Sequence, residues 1–376
     1  MNELIINKDD LVHNINIIKN YEKEENYTIF AVVKGNAYGL GVNEFTKVLI
    51  DNGINNFAVA SSTEAINLRK NIKEKILLLT PYINEEILSN LIKNDITLTI
   101  DSSMGAGLVN EISKKLNKKV YAHIKIDTGL SRYGFDYKNY KEIIDMIKEN
   151  ENIIFEGIYS HFSNSLASDN SFSNIQYERL INVIEKIEKE KITFKYKHIC
   201  NSSGFFKYKY KHLNAARVGS AFSGCATGIK TDLKKIGLFH TKLTKVRNIN
   251  KGDYVGYANS YIAKKDMKIG ILETGYYDGV GLELITQRFK FKSRLKNALL
   301  SLKSLIKGDN MTILTVWLTR LVVVDLPFVP VINVIGQIGM HDVVIDITGL
   351  DYKEDDDIYF YYRPVYINEN VKRVYK

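Results

Sequence analysis

The chain has only two cysteines in 376 residues, Cys200 and Cys225. Two cysteines are too few for a disulfide framework or a four-ligand zinc site, and their scarcity fits a reducing cytosol. The first ten residues contain no positively charged segment followed by an apolar stretch, so the sequence shows no signal peptide. These absences predict a cytoplasmic protein without structural disulfides and without a bound metal.

Long apolar runs are also missing. The most apolar segment, Met311–Ile335, is interrupted by Arg320, Asp325, Pro327 and Pro330 and is rich in β-branched residues. Because a membrane-spanning helix needs about 20 consecutive apolar residues, this segment is predicted to form strands. The net charge is +9, but the lysines are scattered among acidic residues. We therefore expect neither a membrane nor a nucleic acid as partner.

Eight apolar segments in the first part of the chain are predicted to be buried strands, and amphipathic helical patterns lie between them. The strands are predicted to begin near Ile29, Phe57, Ile76, Ile96, Val120, Ile153, Phe194 and Ala216. The helical patterns are Ser62–Asn71, Glu85–Lys93, Met104–Leu116, Tyr140–Glu149 and Gln176–Glu188. Repeated strand–helix units indicate an α/β protein with a (β/α)₈ TIM barrel, assigned to residues 1–235.

From residue 236 to residue 376 the pattern changes to alternating strands and turns, which predicts a second, mostly β domain. The predicted strands are Lys242–Asn248, Tyr254–Ala258, Lys268–Thr274, Thr312–Val324 and Val343–Ile347. A basic amphipathic stretch within this domain, Leu282–Lys307, is predicted to be helical. It is interpreted as a surface excursion, with a partner-binding role as the alternative.

Polar residues follow several of the predicted barrel strands at the point where each strand ends. They are Lys34, Arg132, His161, Asn201, Ser202 and Arg217. The C-terminal ends of barrel strands meet at one face, where barrel enzymes hold their active sites. The sequence therefore predicts one site built from these residues.

The segment Ala31–Gly41, AVVKGNAYGLG, places a lysine directly after a buried strand and before a glycine-rich turn. Apolar walls lower the pKa of a lysine and allow it to form a Schiff base. The segment resembles the pyridoxal-phosphate (PLP) lysine motif of the alanine racemase family. The resemblance implies that Lys34 carries the cofactor and that Tyr38 contacts its phosphate.

A second motif, Asp127–Phe135, presents Arg132 on a glycine-bearing loop, where its guanidinium can bind a carboxylate with two hydrogen bonds. A structural ion pair with Asp127 is the alternative. The family resemblance gives Arg132 a place beside the substrate carboxylate. Lys125 matches a position that is carbamylated in some family members and that orients this arginine.

The loops after the seventh and eighth strands of a barrel commonly bind phosphate through backbone N–H groups. Ser202, Gly219 and Ser220, together with Asn201, are therefore predicted to bind the cofactor phosphate. The resemblance implies that Arg217 faces the pyridine nitrogen and that His161 hydrogen-bonds this arginine. Because a guanidinium keeps its protons, the ring nitrogen would stay unprotonated, which favours proton transfer at Cα over transamination or decarboxylation.

A racemase needs a second base on the opposite face of the substrate from the lysine. In the predicted β domain, Tyr257 and Tyr276 match the catalytic and the entryway tyrosine of the family. In that family the catalytic tyrosine comes from the partner subunit, which implies a homodimer with shared active sites.

The segment Gly336–Asp346 resembles the stretch in which a methionine backbone contacts the substrate carboxylate, here Met340. It departs from the family in having His341 next. The family's C-terminal tyrosine is also absent, and Asn368, Glu369 or Asn370 lies near its expected position. The asparagines are favoured because a carboxylate would repel the cofactor phosphate. These departures resemble the serine/alanine racemases of vancomycin resistance, without their membrane-spanning part. An asparagine leaves room for a serine hydroxymethyl group and can hydrogen-bond it.

The resemblance thus implies a PLP-dependent racemase that acts on alanine, and on serine as well, and that supplies D-amino acids for peptidoglycan. A non-catalytic or broad-specificity PLP-binding paralogue is the alternative. The predicted second domain argues against a barrel-only PLP-binding protein. Arg217 argues against a decarboxylase of basic amino acids, which would favour an acidic group at the ring nitrogen.

Overall fold

The computed structural model describes residues 2–165, 170–210, 212–226, 231–282, 320–322 and 331–376. The described chain forms two compact units. Lys8–Ile236 is one of them, and Met1–Asn7 together with Gly237–Lys376 is the other. Among the described residues, no helix is long and apolar enough to cross a membrane.

The unit Lys8–Ile236 is a parallel barrel whose eight principal strands match the eight predicted from the sequence. They are β2 (Thr28–Val32), β3 (Asn56–Val59), β4 (Lys75–Leu78), β5 (Leu98–Ile100), β6 (Val120–Asp127), β8 (Ile153–Tyr159), β9 (Tyr196–His198) and β10 (Ala215–Val218). A short strand, β7 (Phe135–Asp136), pairs with β6. The strand order is β4-β3-β2-β10-β9-β8-β6-β5, and a parallel bridge between Leu77 and Thr97 nearly closes the ring.

Helices connect the barrel strands. They are Lys8–Glu25, Val42–Asp51, Ser62–Arg69, Glu85–Lys93, Ser103–Lys115, Tyr140–Glu149, Ser171–Glu188 and Ser202–Lys207, with a 3₁₀ turn at Ser220–Ser223. Four of these helices begin at a side-chain cap, which is Ser61, Asn84, Ser102 or Asn201. At Ser61 the hydroxyl and Glu64 form a reciprocal capping box. The barrel interior is a packed core of buried apolar side chains such as Phe30, Ala58 and Leu77, and the buried rings of His123 and His198 pack against Phe30 there.

The second unit is mainly antiparallel. Its strands are β1 (Glu3–Ile6), β11 (Leu238–Ile249), β12 (Tyr254–Val255), β13 (Tyr261–Ile262), β14 (Met267–Leu272), β15 (Arg320–Val322), β16 (Val331–Asn333), β17 (Val343–Asp346), β18 (Asp357–Tyr361) and β19 (Lys372–Tyr375). Short 3₁₀ turns lie at Tyr257–Asn259, Tyr276–Asp278 and Pro364–Tyr366. The main sheet has the order β17-β14-β11-β1-β19, and β18 also pairs with β11.

The assignment of residues 1–235 to the barrel is wrong at its N-terminus. Strand β1 pairs antiparallel with β11 and parallel with β19, so Met1–Asn7 belongs to the β unit. Leu4 and Ile6 are fully buried there, and this apolar burial fixes the segment in the sheet. At the other boundary, Ile236 still belongs to the barrel and Gly237 opens the β unit. The stretch Leu282–Lys307, predicted to be helical, lies outside the described residues after Leu282, as does most of Thr312–Val324.

Candidate active site

A cavity of about 320 Å³ lies at the C-terminal ends of the barrel strands. Ten of the residues singled out in the sequence line it: Lys34, Tyr38, Lys125, Arg132, His161, Asn201, Ser202, Arg217, Gly219 and Ser220. Val32, Leu79, Tyr159 and Ser203 complete the lining. The strand exits therefore bring the predicted barrel residues together in one place, while the role of each residue stays a prediction.

Lys34 leaves β2 at the start of an unusual left-handed turn. The residues from Gly35 to Tyr38 all have positive φ, between 52° and 60°, a conformation that is costly for residues with a Cβ. The Gly35 N–H donates to Glu64 Oε1 over 2.6 Å, which ties the turn to the neighbouring strand–helix unit. Burial lowers the pKa of Lys34, and the charges of Arg132 and Arg217 lower it further against the pull of Glu64. Its amine is thus easier to deprotonate than that of a surface lysine.

Arg217 lies on β10 and is 3% exposed. It donates hydrogen bonds to the Nδ1 atoms of His198 and His161, the latter over 2.9 Å, and to the carbonyl oxygens of Ser160 and Ile199. The predicted bond to His161 is therefore present. Burial lowers the pKa of Arg217 to about 10, which leaves the guanidinium charged at neutral pH. The arginine is a fixed cation on the cavity wall.

Ser202 and Gly219 form a small polar cradle beside Tyr38. The Ser202 hydroxyl accepts hydrogen bonds from the N–H groups of Gly219 and Ala221, over 3.0 and 3.3 Å. A Cβ on Gly219 would lie 2.6 Å from the Tyr38 ring and hydroxyl, so only glycine lets the tyrosine approach the strand end this closely. Since the serine oxygen accepts both N–H groups, its own proton remains available to an anion in the cavity.

The loop that carries Arg132 is shaped by Asp127. One carboxylate oxygen of Asp127 accepts the N–H groups of Gly129, Leu130 and Ser131 over 2.9 to 3.1 Å. None of the ion pairs among the described residues joins Asp127 to Arg132. The acid therefore organises the loop backbone, and the alternative of a structural Asp127–Arg132 ion pair is wrong.

Lys125 projects from β6 into the same cavity and is 5% exposed. Burial lowers its pKa to about 7, and the charges of Arg217 and Arg132 act in the same direction. Its ammonium lies 4.3 Å from the centre of the Tyr159 ring, and the Arg217 guanidinium lies 4.8 Å from the same ring. The Tyr159 ring is thus within cation–π distance of both basic side chains and partly stabilises their charges.

Four basic side chains, Lys34, Lys125, Arg132 and Arg217, line this cavity, and no carboxylate is among the described residues that line it. Packing like charges together is unfavourable unless an anion compensates them. The cavity is therefore built to bind a small anionic molecule. A phosphate beside Ser202 and a carboxylate beside Arg132 would both supply this compensation.

Sequence reasoning missed two residues of the site, Tyr159 and His198. Tyr159 is fully buried, and its hydroxyl lies 2.8 Å from Thr99 Oγ1. Its ring stacks on His198 with a centroid distance of 4.8 Å. Both residues occur in predicted strands, but the face on which each side chain lies depends on strand register, so no signal in the sequence identified them.

The remaining predicted residues lie in the β unit, and the loop Gly336–Met340 connects them. The Gln337 N–H donates to Ser260 Oγ, in the turn that contains Tyr257, and the Gly339 carbonyl accepts the N–H of Tyr276. Tyr257 and Tyr276 are 69% and 44% exposed. Met340 is also exposed. This loop therefore gathers both tyrosines and the methionine into one region of the unit.

Asn368 and Asn370 lie in the turn before β19. The Asn368 side-chain amide donates to the carbonyl of Tyr277 over 3.1 Å, and its side-chain oxygen accepts the N–H of Asn370. Asn368 therefore borders the Tyr276–Asp278 turn, while Asn370 is exposed. His341, the departure from the family pattern, packs its ring against Tyr277 with a centroid distance of 5.0 Å.

A nearly closed parallel barrel with a cation-lined cavity, together with a mostly β unit, defines a two-domain barrel protein whose cavity is suited to an anionic ligand. Comparison with known proteins identifies its family. Residues 6–227 match the family model "Alanine racemase, N-terminal domain", and residues 237–309 match "Alanine racemase, C-terminal domain". The chain belongs to the alanine racemase family, a family of PLP-dependent isomerases.

Individual relatives agree with this assignment. The chain is 31% identical over 357 residues to alanine racemase 1 of Caldanaerobacter subterraneus subsp. tengcongensis, covering 93% of this chain and 82% of the relative. It is 35% identical over 257 residues to the alanine racemase of Methanococcus maripaludis, covering 67% and 69%. The solved alanine racemase of Clostridium difficile 630 aligns with a TM-score of 0.82 and 26% identity, over 100% of this chain and 95% of that one.

The residues present fit PLP. The Ser202–Gly219 cradle offers a hydroxyl to a phosphate, and the space that a Gly219 Cβ would fill is taken by Tyr38. Lys34 and Lys125 both have a lowered pKa, but Lys34 is exposed at the end of β2 whereas Lys125 is buried, so Lys34 is the accessible amine suited to covalent attachment. The Arg217 guanidinium donates hydrogen bonds to His198 and His161, and it would face the ring nitrogen of the cofactor. Lys34, Tyr38, Ser202, Gly219 and Arg217 would hold the cofactor.

Proposed function

We propose that this chain interconverts L- and D-alanine and thereby supplies D-alanine for peptidoglycan. The observation that carries the proposal is the cavity itself, in which Lys34 lies among three further basic side chains, two of them arginines, without a lining carboxylate. When bound, PLP stabilises the negative charge that develops at the substrate Cα. Membership of the alanine racemase family supports the choice of substrate.

Proton transfer at Cα is the reaction that these residues favour. The lowered pKa of Lys34 lets its amine accept a proton from Cα on one face and return it there. Arg132 would bind the substrate carboxylate and fix the direction in which the Cα–H bond points. Arg217 stays charged and gives no proton to the ring nitrogen, which disfavours transamination and decarboxylation.

Tyr257 is proposed as the second base, on the opposite face of Cα. Its hydroxyl would accept or return the Cα proton on that face. Lys34 would therefore deprotonate one enantiomer of alanine and Tyr257 the other. Tyr276 would border the entrance of the site, and the Met340 backbone would contact the substrate carboxylate. In this proposal Tyr257 reaches the Lys34 cavity of a partner subunit, so the active enzyme is a homodimer with shared sites.

We extend the proposal to serine. The family's C-terminal tyrosine is absent, and the sequence puts Asn368 and Asn370 near its expected position. Asn368 borders the Tyr276–Asp278 turn. An asparagine side chain is smaller than tyrosine and offers both a donor and an acceptor to a hydroxymethyl group. A site that hydrogen-bonds a substrate hydroxyl can shift selectivity substantially.

Chiral chromatography of L-alanine and L-serine, each incubated with the protein and PLP, tests the function. We expect both D-alanine and D-serine to form. The proposed function requires D-alanine, and the extension to serine requires D-serine. The variants Asn368→Tyr and Asn370→Tyr should lower the serine-to-alanine ratio of kcat/KM in at least one case. Alanine racemisation without serine racemisation would leave an alanine enzyme. If PLP binds covalently but neither amino acid is racemised, the chain is a non-catalytic PLP-binding paralogue.

A further inference from the structure

A line of hydrogen-bonding groups runs from Arg217 into the barrel interior, away from the cavity. Arg217 donates to Nδ1 of His198, and Nε2 of His198 lies 2.9 Å from Nδ1 of His123. Both histidines are fully buried. Nε2 of His123 faces Glu156 Oε1 at 3.7 Å, and Glu156 in turn forms a very short ion pair with Lys75.

The chemistry of the groups fixes the direction of every bond in this line. A guanidinium only donates, so His198 accepts at Nδ1 and, when neutral, carries its proton on Nε2. His198 then donates to His123 Nδ1, which places the His123 proton on Nε2, toward the Glu156 carboxylate. Burial lowers the pKa of both histidines, so both rings are neutral near neutral pH.

Glu156 is the anionic end of the line. Burial by itself would raise its pKa, but His123 and Lys75 outweigh burial and hold the pKa below its ordinary value. Nε2 of His123 is a buried nitrogen without a hydrogen-bond partner among the described residues, and the Glu156 carboxylate is the charge it faces. The carboxylate therefore favours the ring orientation in which His123 leaves Nδ1 free to accept from His198.

Strand β8 contains a bulge at Glu156, opposite His123. In the pairing of β6 with β8, Ala122 is opposite Phe155 and His123 is opposite Gly157, so Glu156 is an extra residue in a bulge. A bulge redirects a side chain, and here the Glu156 side chain is buried. A Cβ on Gly157 would lie 2.5 Å from the His123 ring, so the glycine lets the ring lie flat against β8. The bulge and the glycine together bring the Glu156 carboxylate close to Nε2 of His123.

We propose that Glu156 and His123 are positioning residues for Arg217. Through His198 they hold the one histidine tautomer that gives Arg217 an acceptor, and so keep its guanidinium fixed on the cavity wall. The proposal rests on the proposed function only in giving Arg217 a place beside the reacting cofactor. Loss of the carboxylate should release the histidines to exchange their tautomers and leave Arg217 less well ordered.

The test compares Glu156→Ala and the charge-conserving Glu156→Asp with a control, Glu188→Gln. Glu188 forms a similar short, half-buried ion pair with Lys197 on the same barrel, with no histidine in the described contacts. The ¹⁵N spectrum of selectively labelled histidine in the apoprotein reports the tautomers directly. We expect His123 and His198 to be Nε2–H tautomers in the parent and in Glu188→Gln, and mixed in Glu156→Ala, with recovery in Glu156→Asp.

The holoenzyme supplies the second readout. In Glu156→Ala we expect kcat for alanine to fall about tenfold with KM and PLP content little changed, as for other groups that act through a neighbour. Unchanged tautomers in Glu156→Ala, or a fall in kcat matched by Glu188→Gln, would overturn the proposal. An enzyme without racemase activity would refute the proposed function, while the apoprotein tautomers would still decide the role of Glu156.

Discussion

Gly219 lies against the Tyr38 side chain at the edge of the candidate cofactor cavity. We expect Gly219→Ala to weaken PLP binding about tenfold, because a methyl group 2.6 Å from the tyrosine ring must push it or the strand aside. Gly107→Ala is the control, since a Cβ there meets nothing within 4 Å. Fluorescence titration of each apoprotein with PLP measures the affinity. Equal affinities in the two variants would show that Tyr38 does not shape the site.

Lys125 makes the stability of the apoprotein depend on pH. Its pKa is about 7 when folded and 10.5 in its ordinary range. Between these values the unfolded chain binds more protons than the folded chain, so the free energy of unfolding should rise with pH across this window. Burial of the charged form costs stability at and below the lower value.

The variant Lys125→Met removes this contribution. We expect the gain in stability between about pH 7 and about pH 9 to be smaller in the variant than in the parent. Lys34, whose pKa is also lowered, contributes in both proteins. Urea midpoints of the two apoproteins measure the difference. If the urea midpoints of both proteins change equally with pH, burial of the charged Lys125 side chain does not destabilise the apoprotein.

At the scale of elements, strand β1 shows why the N-terminal boundary was wrong. The local sequence of Glu3–Ile6 does not indicate which strands it pairs with, because its partners β11 and β19 lie more than two hundred residues away in the chain. We expect Leu4→Ala to destabilise the β unit by about 3 kcal/mol, since Leu4 is fully buried there. Hydrogen exchange should then quicken in β11 and β19. Leu11→Ala, in the first barrel helix, should instead quicken exchange in the barrel, and the reverse pattern would contradict the division.

The barrel strands could be predicted because short segments rich in apolar residues recur between amphipathic helical patterns. The residues at their exits followed from the same reasoning, since a barrel collects them at one face. His198 and Tyr159 could not be found in this way, because an inward direction depends on register, which a sequence does not show. Glu156 was beyond reach for a stronger reason. A bulge at Glu156 shifts the alternation from which its direction would have been read.

At the scale of the whole molecule, the proposed homodimer can be tested by complementation. Lys34→Ala lacks the proposed barrel base and Tyr257→Phe lacks the proposed base of the β unit, so each variant alone should be inactive. Mixing them under conditions of subunit exchange should restore activity, because each heterodimer regains one complete site. Gel filtration of the mixture provides the oligomeric state. Full activity in a strictly monomeric protein would contradict shared sites.

The most direct test of the two-base account is exchange of the alanine Cα proton in D₂O, followed by NMR. With the parent protein and PLP, both L- and D-alanine should lose their Cα proton signal. With Tyr257→Phe, we expect one enantiomer to keep exchanging through Lys34 while exchange of the other stops, and with Lys34→Ala neither should exchange efficiently. If Tyr257→Phe exchanges both enantiomers at the parent rate, Tyr257 is not the second base and the central claim fails.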